Sequence, residues 1–127
     1  MDTYHILCIR KDAYNIYKNN PNSLYKTLYN LYNFNKSDLK LGISIYNEIC
    51  YKIDTKKLKK YIELLPIKRF VKNKYLINKN IIIIKPSNII LKTNNLNKDL
   101  IYVLNNYNNY LFACNFKNKN YYWLNEL

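Results

Sequence analysis

Tyr110-Leu-Phe-Ala-Cys-Asn-Phe-Lys-Asn-Lys-Asn-Tyr-Tyr-Trp-Leu-Asn-Glu-Leu127 sets two apolar runs on either side of a short polar loop. Tyr110, Phe112, Cys114 and Phe116 alternate with Leu111, Ala113 and Asn115, which is the period of a strand. Tyr121-Tyr122-Trp123-Leu124 is a second, aromatic-rich run. The polar Lys117–Asn120 between them has the length of a hairpin loop. A hairpin this aromatic closes a hydrophobic core, so the elements before it must supply the rest of that core.

Working back from the hairpin, Asn97 is placed to cap a helix, with Asp99 in its first turn facing the helix dipole favourably. Leu96, Leu100, Val103, Leu104 and Tyr107 line that helix's inner side. Tyr75–Ile77, Asn80–Lys85 and Ile89–Lys92 read as strands, the last two joined by the turn Lys85-Pro86-Ser87-Asn88. Ile81 to Ile84 show no alternation, which predicts a strand buried on both faces. Upstream, Asp54 or Thr55 caps a helix with Leu58, Ile62 and Leu65 on its apolar face and Pro66 at its end. Lys56, Lys57, Lys59 and Lys60 populate its opposite side. Ile43–Ile53 reads as a long extended segment, with Ile43, Ile45, Asn47, Ile49 and Tyr51 on one face. Asn35–Gly42 is a connection with a turn of helix at Ser37–Lys40. Ser23 caps another helix, whose stripe Leu24, Leu28 and Leu31 is widened by Tyr25, Tyr29 and Tyr32. Asp12 caps a short helix reaching Lys18 and stopped by Asn19-Asn20-Pro21. Thr3–Ile9 is a first strand. Strands and helices are interspersed, and the hairpins imply mostly antiparallel pairing. The expectation is therefore an α+β fold, one sheet with helices packed on it, in a single small domain over residues 1–127.

Composition narrows the function classes. The chain has 127 residues, a formal charge of +13 and 15 tyrosines. The charge points to an anionic partner: nucleic acid, a membrane surface or an acidic protein face. Only Arg10 and Arg69 are arginines, and a lysine-dominated surface favours diffuse attraction over bidentate base or phosphate readout. Cys8, Cys50 and Cys114 are far apart, each in an apolar stretch, and read as core residues of a protein in a reducing cytoplasm. The opening Met-Asp-Thr-Tyr-His lacks the pattern of a signal peptide. No apolar run approaches the length of a membrane span.

Catalytic patterns are missing from the sequence. A single glycine, Gly42, excludes the glycine-rich phosphate loops. His5 is the only histidine and has no second ligand of its kind, so no metal or cofactor is expected. It reads as an edge or outward-facing residue. Strand alternation sets His5 and Cys8 on opposite faces, against an activated thiol pair. Asp12, Asp54 and Asp99 are accounted for by helix starts. The chain reads as a non-enzyme. A competing reading is a basic nucleic-acid-binding module, resting on Lys56–Lys60 and Lys68–Lys74 near tyrosines that could stack bases. No helix-turn-helix or RNP-type motif accompanies it, so only non-specific, salt-dependent binding is expected from it.

The residue order of the terminal hairpin resembles the C-terminal signature of the sporulation inhibitor of replication (SirA) family. The resemblance rests on Leu111-Phe112-Ala113-Cys114-Asn115-Phe116 and on Tyr122-Trp123-Leu124-Asn125. The opening Tyr4-His-Ile-Leu-Cys-Ile-Arg-Lys-Asp-Ala-Tyr-Asn-Ile-Tyr17 also looks like the family's first strand and short helix. The resemblance implies a small α+β domain that binds the N-terminal domain of the replication initiator DnaA. It implies no catalysis, a block on new initiation during sporulation, and a cytoplasmic monomer forming a 1:1 complex. The implied partner-binding residues are Ala13, Tyr14, Tyr17 and Lys18 on the first helix, with Asn125 and Glu126 at the other end of the chain. Tyr17 matches a family aromatic. The family's second helix aromatic falls on Ala13 here, next to Tyr14, and its proline after Trp-Leu-Asn is Glu126. Trp123 is expected to fill the core, and Tyr17 to serve as an anchor with a half-exposed ring.

Overall fold

In the computed structural model, which describes residues 1–127 apart from the Lys36 side chain, the first strand becomes the axis of the molecule. β1 (Asp2–Ile9) carries apolar residues on both faces and must lie between two layers. It pairs antiparallel with β6 (Ile89–Thr93) on one side and β7 (Leu111–Asn115) on the other. β3 (Ile67–Val71), β4 (Lys74–Ile77) and β5 (Asn80–Ile84) extend the sheet beyond β6, and β8 (Asn120–Trp123) ends it beyond β7. The order is β3-β4-β5-β6-β1-β7-β8. The two-residue β2 (Cys50–Tyr51) takes the last positions of β1. Every pairing is antiparallel, so the fold is the α+β one expected.

Helices lie on both faces of the sheet. α4 (Thr55–Ile62) and α5 (Lys98–Tyr107) bury Leu58, Ile62, Leu100 and Leu104 with Tyr4, Ile6, Ile82, Ile84 and Leu91. α1 (Lys11–Tyr17), α2 (Pro21–Tyr32) and α3 (Leu39–Ile49) close a second core, of Leu7, Ile9, Leu24, Leu28, Phe112 and Trp123. Each fully buried leucine or isoleucine contributes about 1.5–3 kcal/mol, and the central strands collect this from both sides.

Helix starts follow the chemistry of their side chains. Asp54 Oδ1 accepts the Lys57 N–H at 3.1 Å. Asn97 Oδ1 accepts the N–H groups of Asp99 and Leu100 at 2.8 and 3.2 Å. The two shorter predictions change. Asp12 does not cap α1; it stands in the first turn and accepts the adjacent Ala13 N–H at 2.9 Å. α2 begins two residues before Ser23, at Pro21, where a missing N–H costs nothing.

Further departures follow the same logic of local pattern against packing. The segment read as extended is α3, preceded by a 3-10 turn at Lys36–Asp38. Gly42, Ile45, Tyr46 and Ile49 recur at helical spacing and turn inward, while Ile43 is exposed. A run of isoleucines at every second position matched both periods, and the helical one prevails. Ile81–Ile84 is not buried on both faces: Ile82 and Ile84 are fully buried, whereas Ile81 and Ile83 are only half-buried. β3 is an edge strand, with Lys68, Arg69, Phe70 and Val71 exposed, so no burial pattern marks it in the sequence. The terminal hairpin forms with its loop at 116–119, one residue earlier than read. Asn115 Oδ1 accepts the Asn118 N–H at 3.1 Å, and Lys119 closes the loop at φ 58°.

Candidate partner-binding site

The start of α1 and the last residues of the chain meet where β1 ends and β7 begins. Ile9 N–H donates to Tyr110 O at 2.9 Å, and Arg10 N–H donates to Ile49 O at 2.8 Å. These bonds fix where the chain leaves β1 and turns into α1. Arg10 is held there by its Nε, which donates to Asn47 O at 2.7 Å. Its guanidinium lies 4.3 Å from the Tyr51 ring centre, within cation–π range.

α1 then lays Ala13, Tyr14 and Tyr17 towards the second core. Ala13 is buried, and Tyr14 and Tyr17 are half-buried. Tyr14 is gripped by aromatics: Tyr110 at 4.6 Å, and Trp123 edge-on at 4.7 Å. Trp123 is 2% exposed and also packs on Phe112 at 4.7 Å, so it fills the core as expected. Asn125 Nδ2 donates to Asn109 O at 2.8 Å and to the Tyr14 hydroxyl at 3.3 Å. The residues 124–126 form a 3-10 turn anchored by Asn105 Nδ2, which donates to Leu124 O at 2.9 Å.

Of the residues named from the sequence, Tyr14 and Asn125 are therefore in direct contact, although 111 positions separate them. Ala13 is buried in the second core. Tyr17 lies one turn further along α1, and Lys18 and Glu126 are exposed. The sequence reading passed over Ile16, which is 72% exposed on α1. Its signal was available: Ala13, Tyr14 and Tyr17 at i, i+1 and i+4 define the inner face of a helix, and Ile16 falls outside it. An isoleucine on the solvent side of a short helix contributes nothing to the core and offers apolar contact to a partner.

The titratable groups are placed for packing. Burial pushes the Cys8 thiol up to about 11 and the Cys50 thiol up to about 12. It also raises that of Cys114. His5 is not at an edge. It lies on the central strand beneath α2, with Tyr32 at 5.1 Å and Phe116 at 5.5 Å. Burial lowers its pKa, against an opposing pull from the Asn88 side chain and with a smaller push in the same direction from the Lys85 charge. Among the described residues, no three or more His, Cys, Asp or Glu side chains group as a metal site, and no helix is long and apolar enough to cross a membrane.

Compared with known proteins, the chain matches no family model and no curated protein.

Proposed function

We propose that this protein is a non-enzymatic inhibitor of replication initiation that binds the N-terminal domain of DnaA during sporulation, in the cytoplasm. The terminal signature motivates the reading, and one observation carries it. The Trp-Leu-Asn segment stands against α1, through the Tyr14–Trp123 ring contact and the Tyr14–Asn125 hydrogen bond. The residues implied as a binding surface thus belong to one continuous edge instead of scattering over the domain. Ile16 is the exposed apolar side chain of α1 and Tyr17 is half-buried beside it, with Lys11, Asp12, Asn15 and Lys18 also exposed. An inhibitor acting by occlusion needs no chemistry. It needs roughly 800 Å² of complementary surface on each side, with one or two large side chains carrying most of the energy. Lys11 and Lys18 would speed the encounter with an acidic face.

Size-exclusion chromatography and titration calorimetry with the isolated N-terminal domain of the host's DnaA test the proposal. A 1:1 complex is expected. Ile16→Ala and Tyr17→Ala should each weaken it by about 2 kcal/mol, roughly 30-fold in Kd. No complex at tens of micromolar (about 6–7 kcal/mol) refutes the proposal. So does a complex that both variants leave unchanged.

A further inference from the structure

The helix layer formed by α1, α2 and α3 covers only part of its side of the sheet. On that side Leu7 and Phe112 lie in the second core. The register carries the same face outward: Ile90 stands opposite His5, Ile83 opposite Ile90, Ile81 opposite Leu76, and Val71 opposite Lys74. Leu76, Ile81, Ile83 and Ile90 are half-buried and pack against neither core. Val71 is 66% exposed. A shallow cleft of about 350 Å³ along the outer edge is lined by Arg69, Val71, Lys74, Leu76 and Ile81 together with the Phe70 and Tyr75 rings. The charge of this region is one-sided. From Leu64 to Lys98 the chain has eight lysines and arginines and no acidic residue. Lys74 and Lys92 lie on the open face itself, opposite Ile83 and Ile81.

We infer that this face binds an amphipathic helix of a partner protein, one whose apolar stripe is flanked by aspartates and glutamates. The layer next to it is already helical, and one more helix would continue it over β3 to β6. The size fits: four strands span about 14 Å, and a helix of about 12 residues spans about 18 Å. The charge selects the partner. A second copy of this chain would set Arg69, Lys74 and Lys92 against the same three cations, which disfavours self-pairing. Bases stack on aromatic rings, and the register sets the Phe70 and Tyr75 pair on the other face, leaving aliphatic and basic side chains on this one. Acidic flanks on an apolar helix meet both features at once. The face is at the β3 edge of the sheet, whereas α1 and Trp123 are at the β8 edge. The inference therefore stands apart from the proposed DnaA contact.

Fluorescence anisotropy tests it, using a labelled helical peptide of about 18 residues with a leucine stripe and glutamate flanks. A lysine-flanked peptide with the same stripe and a scrambled acidic peptide without the stripe serve as controls. At about 150 mM salt, the acidic amphipathic peptide should bind at least roughly tenfold more tightly than either control. Ile81→Ser with Ile83→Ser, and separately Lys74→Glu with Lys92→Glu, should each weaken it by roughly tenfold or more. The second pair touches no core residue, so it reports on binding even if the first loosens the fold. Ile16→Ala should leave peptide binding unchanged, which separates this face from the DnaA surface. Equal binding of the scrambled peptide, or full binding by the Lys74/Lys92 variant, overturns the inference. It is also overturned if the peptide fails to bind while anionic phosphatidylglycerol vesicles or single-stranded DNA bind and lose that binding in the same variant.

Discussion

Replacing Trp123 by alanine tests the packing and, indirectly, the support of the α1 surface. The ring is 2% exposed and makes two close aromatic contacts, with Tyr14 and Phe112. Truncating a buried indole costs about 3–5 kcal/mol, and the two ring pairs place this site towards the upper end. One term opposes it. The Trp123 Nε1 hydrogen is buried without a hydrogen-bond partner, and an orphaned donor costs about 1 kcal/mol or more that alanine would remove. The net loss is about 3–4 kcal/mol. For a domain of this size that lowers the melting temperature by about 10–15 °C. Trp123→Phe keeps a ring against Phe112 and Tyr14 and also removes the orphan donor, so it should cost only about 1 kcal/mol. Far-UV circular dichroism melts and urea titrations of the two variants measure both values. Because Trp123 is the only tryptophan, its emission in the parent reports on the same core without a label. A loss of less than about 1 kcal/mol for Trp123→Ala would refute the packing argument. If phenylalanine proved as costly as alanine, the account of the unpartnered N–H would fail.

Asn97→Ala removes the acceptor for two N–H groups at the start of α5 and should cost about 1 kcal/mol in urea titration. Lys119→Gly should stabilise the hairpin by about 1 kcal/mol, since Lys119 holds a left-handed φ of 58° that glycine adopts without strain. The thiols should make stability fall in alkali. Burial raises Cys8 and Cys50 from 9.0 to about 11 and about 12. The folded state therefore holds their protons more tightly than the unfolded one, and their contribution is complete below about pH 9. It is lost as pH rises from there through about 11–12. Melts at increasing pH, with Cys8→Ser as reference, check this, and Ellman's reagent should titrate no thiol until the protein is unfolded.

What could be read from the residues depended on whether local chemistry or distant packing decided the outcome. Asp54 and Asn97 were legible because a side-chain oxygen beside free N–H groups is a local matter. The terminal hairpin was legible because its alternation is uninterrupted. Ile43–Ile53 was not, since its isoleucines satisfy a strand period while Gly42, Ile45, Tyr46 and Ile49 satisfy a helical one. Burial of Ile81 and Ile83 was not legible either. It depends on where the α1–α3 layer stops, and no residue nearby records that. At the candidate site, the aromatic pair on α1 was visible as spacing. The orientation was not: Tyr14 turns in against Trp123, and the isoleucine beside Tyr17 turns out.

The position of β1 has a consequence for how the chain is made. This strand lies between β6 and β7, yet it leaves the ribosome before either of them. Asp2 meets its contact at Asn118 across 116 positions. At about 5–20 residues per second, Tyr4–Ile9 waits roughly 5–20 s for β7 to be synthesised. Even once β6 is made, the edge of this apolar strand that pairs with β7 stays without its partner until Leu111–Asn115 emerges. A nascent chain stalled before Leu111 should therefore be a preferred substrate for chaperones.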